Sequence, residues 1–436
     1  MVMAQAGQQF PPSELATASG QPAKAAAFSE AETCGACHEG HVKAWQGSLH
    51  HRAHEDGLYT AFAELARREG GDQLYVFCSS CHAPAAVATG EIPGRANGKH
   101  TFLTKEGVTC EACHFAKEVR AIHQGAGANG SLVLDDSGAR YGPLKDPASN
   151  DVHRSTFSAT HTTSRLCSGC HTLTHPFNGL VIENTYEEWK HGPYAQAGIQ
   201  CQDCHMRTVP QALAVAEKLK PLAVPGKACD DGPQRPDVHT HNFVGGSTAR
   251  EANGAGAAHV AEATQRLQTA AKLAVRLPAR AKAGAPAQLS VDVTNTAAGH
   301  AIPTSVTELR QVWIEVQARD AAGHVIWQSG AVRADGSVDP HATMFHTLLA
   351  DAEGKVTYRP WKAVKMLSEK LLPPRATVTT DYTVPVPAGT RGPLAIRATL
   401  RYRSAPQEVL DELFGAGKFK LPIVDMAGAT GALPLD

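Results

Sequence analysis

The chain has 436 residues, 41 basic against 42 acidic side chains, 42% apolar residues and only 6% aromatic ones. The near-cancelled charge excludes the strong positive field of a nucleic-acid binder or a polybasic membrane anchor, and no run of about 18 apolar residues offers a membrane-spanning helix. A length of this order allows two or three domains with at least one proper core, while 22 His and 11 Cys beside 12 Phe, 8 Tyr and 5 Trp point to metal or haem ligation.

Residues 1–30, rich in Ala, Gln, Pro and Ser, are expected to form a flexible N-terminal tail. The step Ala4-Gln5-Ala6 has the small-x-small form of a signal-peptidase site without the charged and apolar regions of a whole signal peptide. It fits a signal-peptide remnant and an ordinary tail equally well.

From residue 31 to about residue 250 the cysteines set the organisation. Ten of the eleven fall in five CxxC pairs, each followed at once by His: Cys34, Cys37 and His38; Cys78, Cys81 and His82; Cys110, Cys113 and His114; Cys167, Cys170 and His171; Cys201, Cys204 and His205. This is the signature of covalent haem c, in which both thiols bond to the porphyrin and the adjacent imidazole becomes the proximal iron ligand. Zinc sites want paired CxxC motifs about 12 to 20 residues apart, whereas these pairs start 44, 32, 57 and 34 residues apart and are odd in number. Thioredoxin-like chemistry needs one CxxC, and disulfides do not explain the His. Cys229 stands apart in a Pro/Gly-rich stretch and reads as a free thiol.

The second axial ligand decides between electron transfer and catalysis. Of six Met only Met206 lies in this region, too close to His205 to reach the opposite face of its haem, so the distal ligands must come mostly from His. Candidates before residue 250 are His41, His50, His51, His54, His100, His123, His153, His161, His175, His191, His239 and His241, more than the vacancies require.

The stretch CGACHEGHVKAWQGSLHHRAH, Cys34 to His54, resembles the opening repeat of multihaem cytochromes c related to the tetrahaem cytochrome c of hydroxylamine oxidation, where CxxCH is followed by W-x-x-S-x-H. Trp45, Ser48 and His50 match, so the resemblance implies His50 as a distal ligand. It likewise implies His123, nine residues beyond His114, and His161, shortly before Cys167. Tyr186 to Met206 repeats the Trp step with Tyr194 where the His would fall, and HTHNFVGG, His239 to Gly246, resembles a ligand-bearing element after the last haem, with His241 favoured over His239. His54, His153 and His239 complete the distal candidates. About one haem per 42 residues over residues 34–241 leaves little polypeptide to enclose each one. Short helices at each CxxCH and long irregular loops, such as residues 125–147, are predicted, with the porphyrins supplying buried apolar surface.

The Ala-rich stretch within residues 251–275 reads as a linking helix. Beyond it, period-two alternation at Leu289–Val293, Val312–Val316, Val378–Val384 and Leu394–Tyr402 predicts half-buried strands. Residues 276–436 are therefore expected to form an antiparallel β-sandwich of immunoglobulin-like type, giving an α+β multidomain fold in which a mainly helical or irregular pentahaem domain comes first. NTAAGHAIPT, Asn295 to Thr304, resembles an element of β-domains appended to multihaem cytochromes, and implies His300 as a further distal ligand, with His341 and His346 as weaker candidates.

The composite expectation is an electron carrier with five haem c groups, mostly bis-His, serving anaerobic or extracellular respiration through redox partner proteins in the periplasm or outside the cell. Two alternatives stand beside it. One is an oxidoreductase of a small nitrogen or sulfur compound at an open haem, although the CxxCK of pentahaem nitrite reductases is absent. The other is self-association into a haem-lined conductive filament.

Overall fold

The computed structural model describes residues 13–94, 100–148, 150–249, 254 and 256–436; the expectations for residues 1–12 lie outside the described residues. The chain divides into two compact units, Met1–Ala263 with Ala350–Lys365, and Thr264–Leu349 with Met366–Asp436. The fold is α+β and multidomain.

In the first unit four of the five CxxCH motifs sit on or beside helices of one turn, Ala31–Gly35, Cys110–His114, Arg165–Ser168 and Gln202–His205. One turn suffices because residues i, i+3 and i+4 share a helix face, which brings both thiols and the imidazole to the same side. The His38, His171 and His205 amides close these turns on the carbonyls of Cys34, Cys167 and Cys201 at 3.0, 2.8 and 2.9 Å. Thr109 caps the Cys110–His114 turn by accepting from the Ala112 amide. The second motif differs, closing the long helix Gly57–His82, which starts at the Asp56 cap and bends at Gly71, where φ is +78°.

Three expectations for this unit are corrected. Residues from 13 onward are not a loose tail: Ala16–Thr17 pair in parallel with Val133–Leu134, and the buried Phe28 meets Phe115 edge-on at 5.1 Å. The stretch 125–147 is not wholly irregular, because the buried run Leu132–Leu134 and the segment Ala139–Gly142 form strands. And residues 350–365, assigned by sequence to the β-domain, belong to the first unit. There Glu69 of the long helix accepts from Trp361 Nε1 at 2.8 Å and pairs with Lys362 and Arg359 at 2.9 and 3.2 Å.

The second unit follows the alternation. Ala271–Arg276, Pro286–Asn295 and Thr377–Pro385 form one antiparallel sheet in that order. A second antiparallel sheet runs Thr343–Ala350, Gln311–Arg319, Leu394–Arg403, Val424–Leu433. Leu289, Val291 and Val293 from the first sheet share one buried core with Val312, Ile314, Ile396 and Leu400 from the second. The helix expected within residues 251–275 spans Ala257–Ala270 and gives way to a strand at Ala271, where the Leu273 and Val275 spacing alternates rather than following a helical period.

Candidate haem-binding site

None of the ten motif cysteines is in a disulfide. The five motif imidazoles have their Nδ1 atoms engaged: His38 Nδ1–H donates to the Ala228 carbonyl at 2.6 Å, His82 to Ala53 at 2.7 Å, His114 to Tyr141 at 2.7 Å and His205 to Val244 at 2.8 Å. His171 Nδ1–H donates to the Glu183 carboxylate at 3.3 Å. A carbonyl or carboxylate partner fixes the proton on Nδ1 and leaves Nε2 as the lone pair, the arrangement a metal-bound imidazole requires. The donor set therefore fits haem c at each motif.

Contacts between motifs place them as neighbours. The thiols of Cys34 and Cys110, of Cys81 and Cys170, and of Cys167 and Cys201 come within hydrogen-bonding reach. The first motif thus adjoins the third, the second adjoins the fourth, and the fourth adjoins the fifth.

Two imidazoles joined through one iron, with metal–nitrogen bonds of about 2 Å, hold their ring centroids roughly 6 to 6.5 Å apart. His171 and His50 stand at 6.4 Å, His38 and His153 at 6.4 Å, and His114 and His241 at 6.2 Å. His114 also faces His161 at 5.9 Å, but His161 Nε2–H donates to the Cys113 carbonyl at 3.0 Å, so only its buried Nδ1 keeps a lone pair. His41 lies 6.3 Å from His38.

The other candidates are placed differently. His54, buried, shares a hydrogen bond of 3.0 Å through Nε2 with the Tyr75 hydroxyl. His239 lies 3.5 Å from the Asp203 carboxylate through Nε2. His123 caps a tight turn closed on Ala126, with its Nε2 buried and unpartnered among the described residues. In the second unit His300 donates Nδ1–H to the Ala301 carbonyl at 2.9 Å.

Burial decides the charge state of several of these rings. It pushes His50 down to about 3, His54 and His161 down to about 4, and His241 well below the usual histidine range, each helped by a neighbouring His. For His171 burial again pulls down, but the hydrogen bond to Glu183 together with the negative charge of Glu183 and of the nearby Cys201 and Cys81 outweighs it and holds the ring up at about 9. The Glu183 contact and the face-to-face stacking of Tyr59 on the His82 ring, at 3.7 Å and 9°, carried no signal in the sequence.

Residues 33–115 match the family described as cytochrome c554 and c-prime. No curated protein matches the chain. Among solved structures, a penta-heme cytochrome c552 from Thermochromatium tepidum is similar at 20% identity and a TM-score of 0.63, over 93% of this chain and 99% of that one. A CARDB domain from Pyrococcus furiosus, 10% identical, covers 38% of this chain and 87% of its own at a TM-score of 0.19, too low to support an argument. The chain thus has the fold of a penta-heme cytochrome and, over residues 33–115, the pattern of the cytochrome c554 and c-prime family, and these together support a multihaem c-type cytochrome.

Proposed function

We propose that the chain is an electron-transfer protein carrying five covalently attached haem c groups, most of them held between two imidazoles. The observation that carries this reading is the shared state of His38, His82, His114, His171 and His205, each with Nδ1 tied and Nε2 left for iron. When bound, each haem supplies a one-electron iron couple, and axial ligation by two His places such couples lower than His/Met ligation does.

The chain's own residues then do two things. Cys34, Cys37, Cys78, Cys81, Cys110, Cys113, Cys167, Cys170, Cys201 and Cys204 fix the porphyrins at neighbouring stations. His50 serves the fourth motif and His153 the first, where His41, only three residues beyond His38, shares the proximal side. One of His241 and His161 serves the third, which leaves His123, His54 and His239 for the second and fifth. Donor and acceptor are redox proteins, and the location is periplasmic or extracellular, where haem c is attached.

The test is a pyridine haemochrome count with electron paramagnetic resonance of the oxidised protein. Five haems per chain with mostly low-spin signals is the expected result; fewer than five haems, or a mainly high-spin spectrum, sinks the reading. One observation favours the oxidoreductase alternative at the second motif, where His54, within electrostatic reach of His82, already spends Nε2 on Tyr75. Turnover of nitrite, hydroxylamine or tetrathionate would decide for it.

A further inference from the structure

Four of the five motif imidazoles donate to backbone carbonyls, which are dipoles without net charge. His171 donates to a carboxylate. Glu183 reaches it because the strands Leu173–Thr174 and Val181–Glu183 pair with Leu173 opposite Glu183, folding the chain back beside the residue two places after His171. The Glu183 side chain is 11% exposed, its carboxylate accepts a second hydrogen bond from Thr185 Oγ1 at 3.4 Å, and it pairs with no Lys or Arg among the described residues. Its charge is therefore neither neutralised by a cation nor well screened by water.

We propose that Glu183 is a positioning residue that gives the His171 imidazole imidazolate character and thereby makes the haem of the fourth motif the lowest-potential member of the bis-His set. The proposal rests on the five-haem reading above. A carboxylate on the far nitrogen raises the basicity of the ligating one, and the more electron-rich ligand stabilises the oxidised iron over the reduced iron. The position matters because the fourth motif adjoins both the second and the fifth through the Cys81–Cys170 and Cys167–Cys201 contacts. A depressed potential there puts an uphill station between the second and fifth motifs, so electrons pass from one to the other only over that step.

The experiment is an optical and paramagnetic redox titration of the haem-loaded protein, its Glu183→Gln and Glu183→Asp variants, and His50→Ala, which marks the fourth-motif signal by its change of spin state. In the wild type that signal should be the last low-spin signal lost on reduction. In Glu183→Gln one couple should rise by at least tenfold in its reduction equilibrium constant, about 59 mV for one electron, while the other four hold and Glu183→Asp stays with the wild type. Five haems with unchanged potentials in Glu183→Gln overturn the proposal. If the Gln variant loses a haem, the wild-type order decides alone: a fourth-motif signal that is not the last to disappear overturns it too. A wild-type count below five haems instead removes the reading on which it rests.

Discussion

At the scale of single residues, iron needs a neutral imidazole, and burial supplies one. His50, pushed down to about 3, keeps its lone pair across the whole neutral and mildly acid range, as does His161 at about 4. Ligand removal is the clean probe. His50→Ala should convert one haem in five from low spin to high spin and leave the rest untouched, read by paramagnetic resonance at constant haem content. His161→Ala and His241→Ala compete for the third motif: one of them should raise a single high-spin signal, and the other should leave the spectrum unchanged. The thiols and proximal imidazoles were legible in the sequence because CxxCH is local. Their hydrogen-bond acceptors were not, since Ala228 lies 190 residues from His38 and a backbone carbonyl has no sequence signature. Glu183 was equally silent: Asn178-Gly179 marks a turn, but a turn signal does not say which side chain beyond it returns to His171.

At the scale of elements, alternation placed the central strands correctly, since Leu289, Val291 and Val293 face one core at every second residue. It missed Val424–Leu433, whose Gly and Ala residues blur the period, and the return of residues 350–365, which depends on polar contacts rather than on pattern. Those contacts make that segment sensitive to acid. Burial opposes ionisation of Glu69, but hydrogen bonds from Lys362 and Trp361 and the Arg359 charge outweigh it and hold the carboxyl below its ordinary value of 4.5. The anchoring is thus fully present above that ordinary value and lost as pH falls through the lowered one. Amide exchange of residues 350–365 should be slow at pH 7 and accelerate below about pH 4, and Glu69→Gln should show the fast exchange at both. A second element depends on Arg207, fully buried beside the fifth motif, which donates to the Val238 and Leu222 carbonyls and to Asp237. It clamps the stretch that carries Ala228, His241 and Val244, so Arg207→Ala should cost about 3 kcal/mol by chemical denaturation. The same change should disturb the haems of the first and fifth motifs together, because both proximal imidazoles donate into this stretch.

At the scale of the whole molecule, the two units are stabilised by different material. The second unit buries Val291, Val293, Val312, Ile314, Val316, Ile396 and Leu400, large side chains worth about 1.5 to 3 kcal/mol each when taken fully from water. The main apolar cluster of the first unit is nearly half Ala, with Ala23, Ala63, Ala83, Ala85, Ala86, Ala88 and Ala116 beside Phe28, Tyr75, Ile92, Leu103, Phe115, Val119, Leu132 and Leu134. Ala contributes little apolar area, and four of the five motif helices are one turn long, below the length at which a helix sustains itself. On the reading proposed above, the first unit should lean on its haems much as small metal-bound domains depend on their ions, while the second has a core of its own. Protein produced in cells unable to attach haem should separate the two contributions in one measurement. Hydrogen–deuterium exchange should show protection retained in Pro286–Asn295, Gln311–Arg319 and Leu394–Arg403 and lost across the five motif turns. Protection persisting in both units would mean that the Ala-rich cluster suffices, and that the haems are carried by a framework that forms without them.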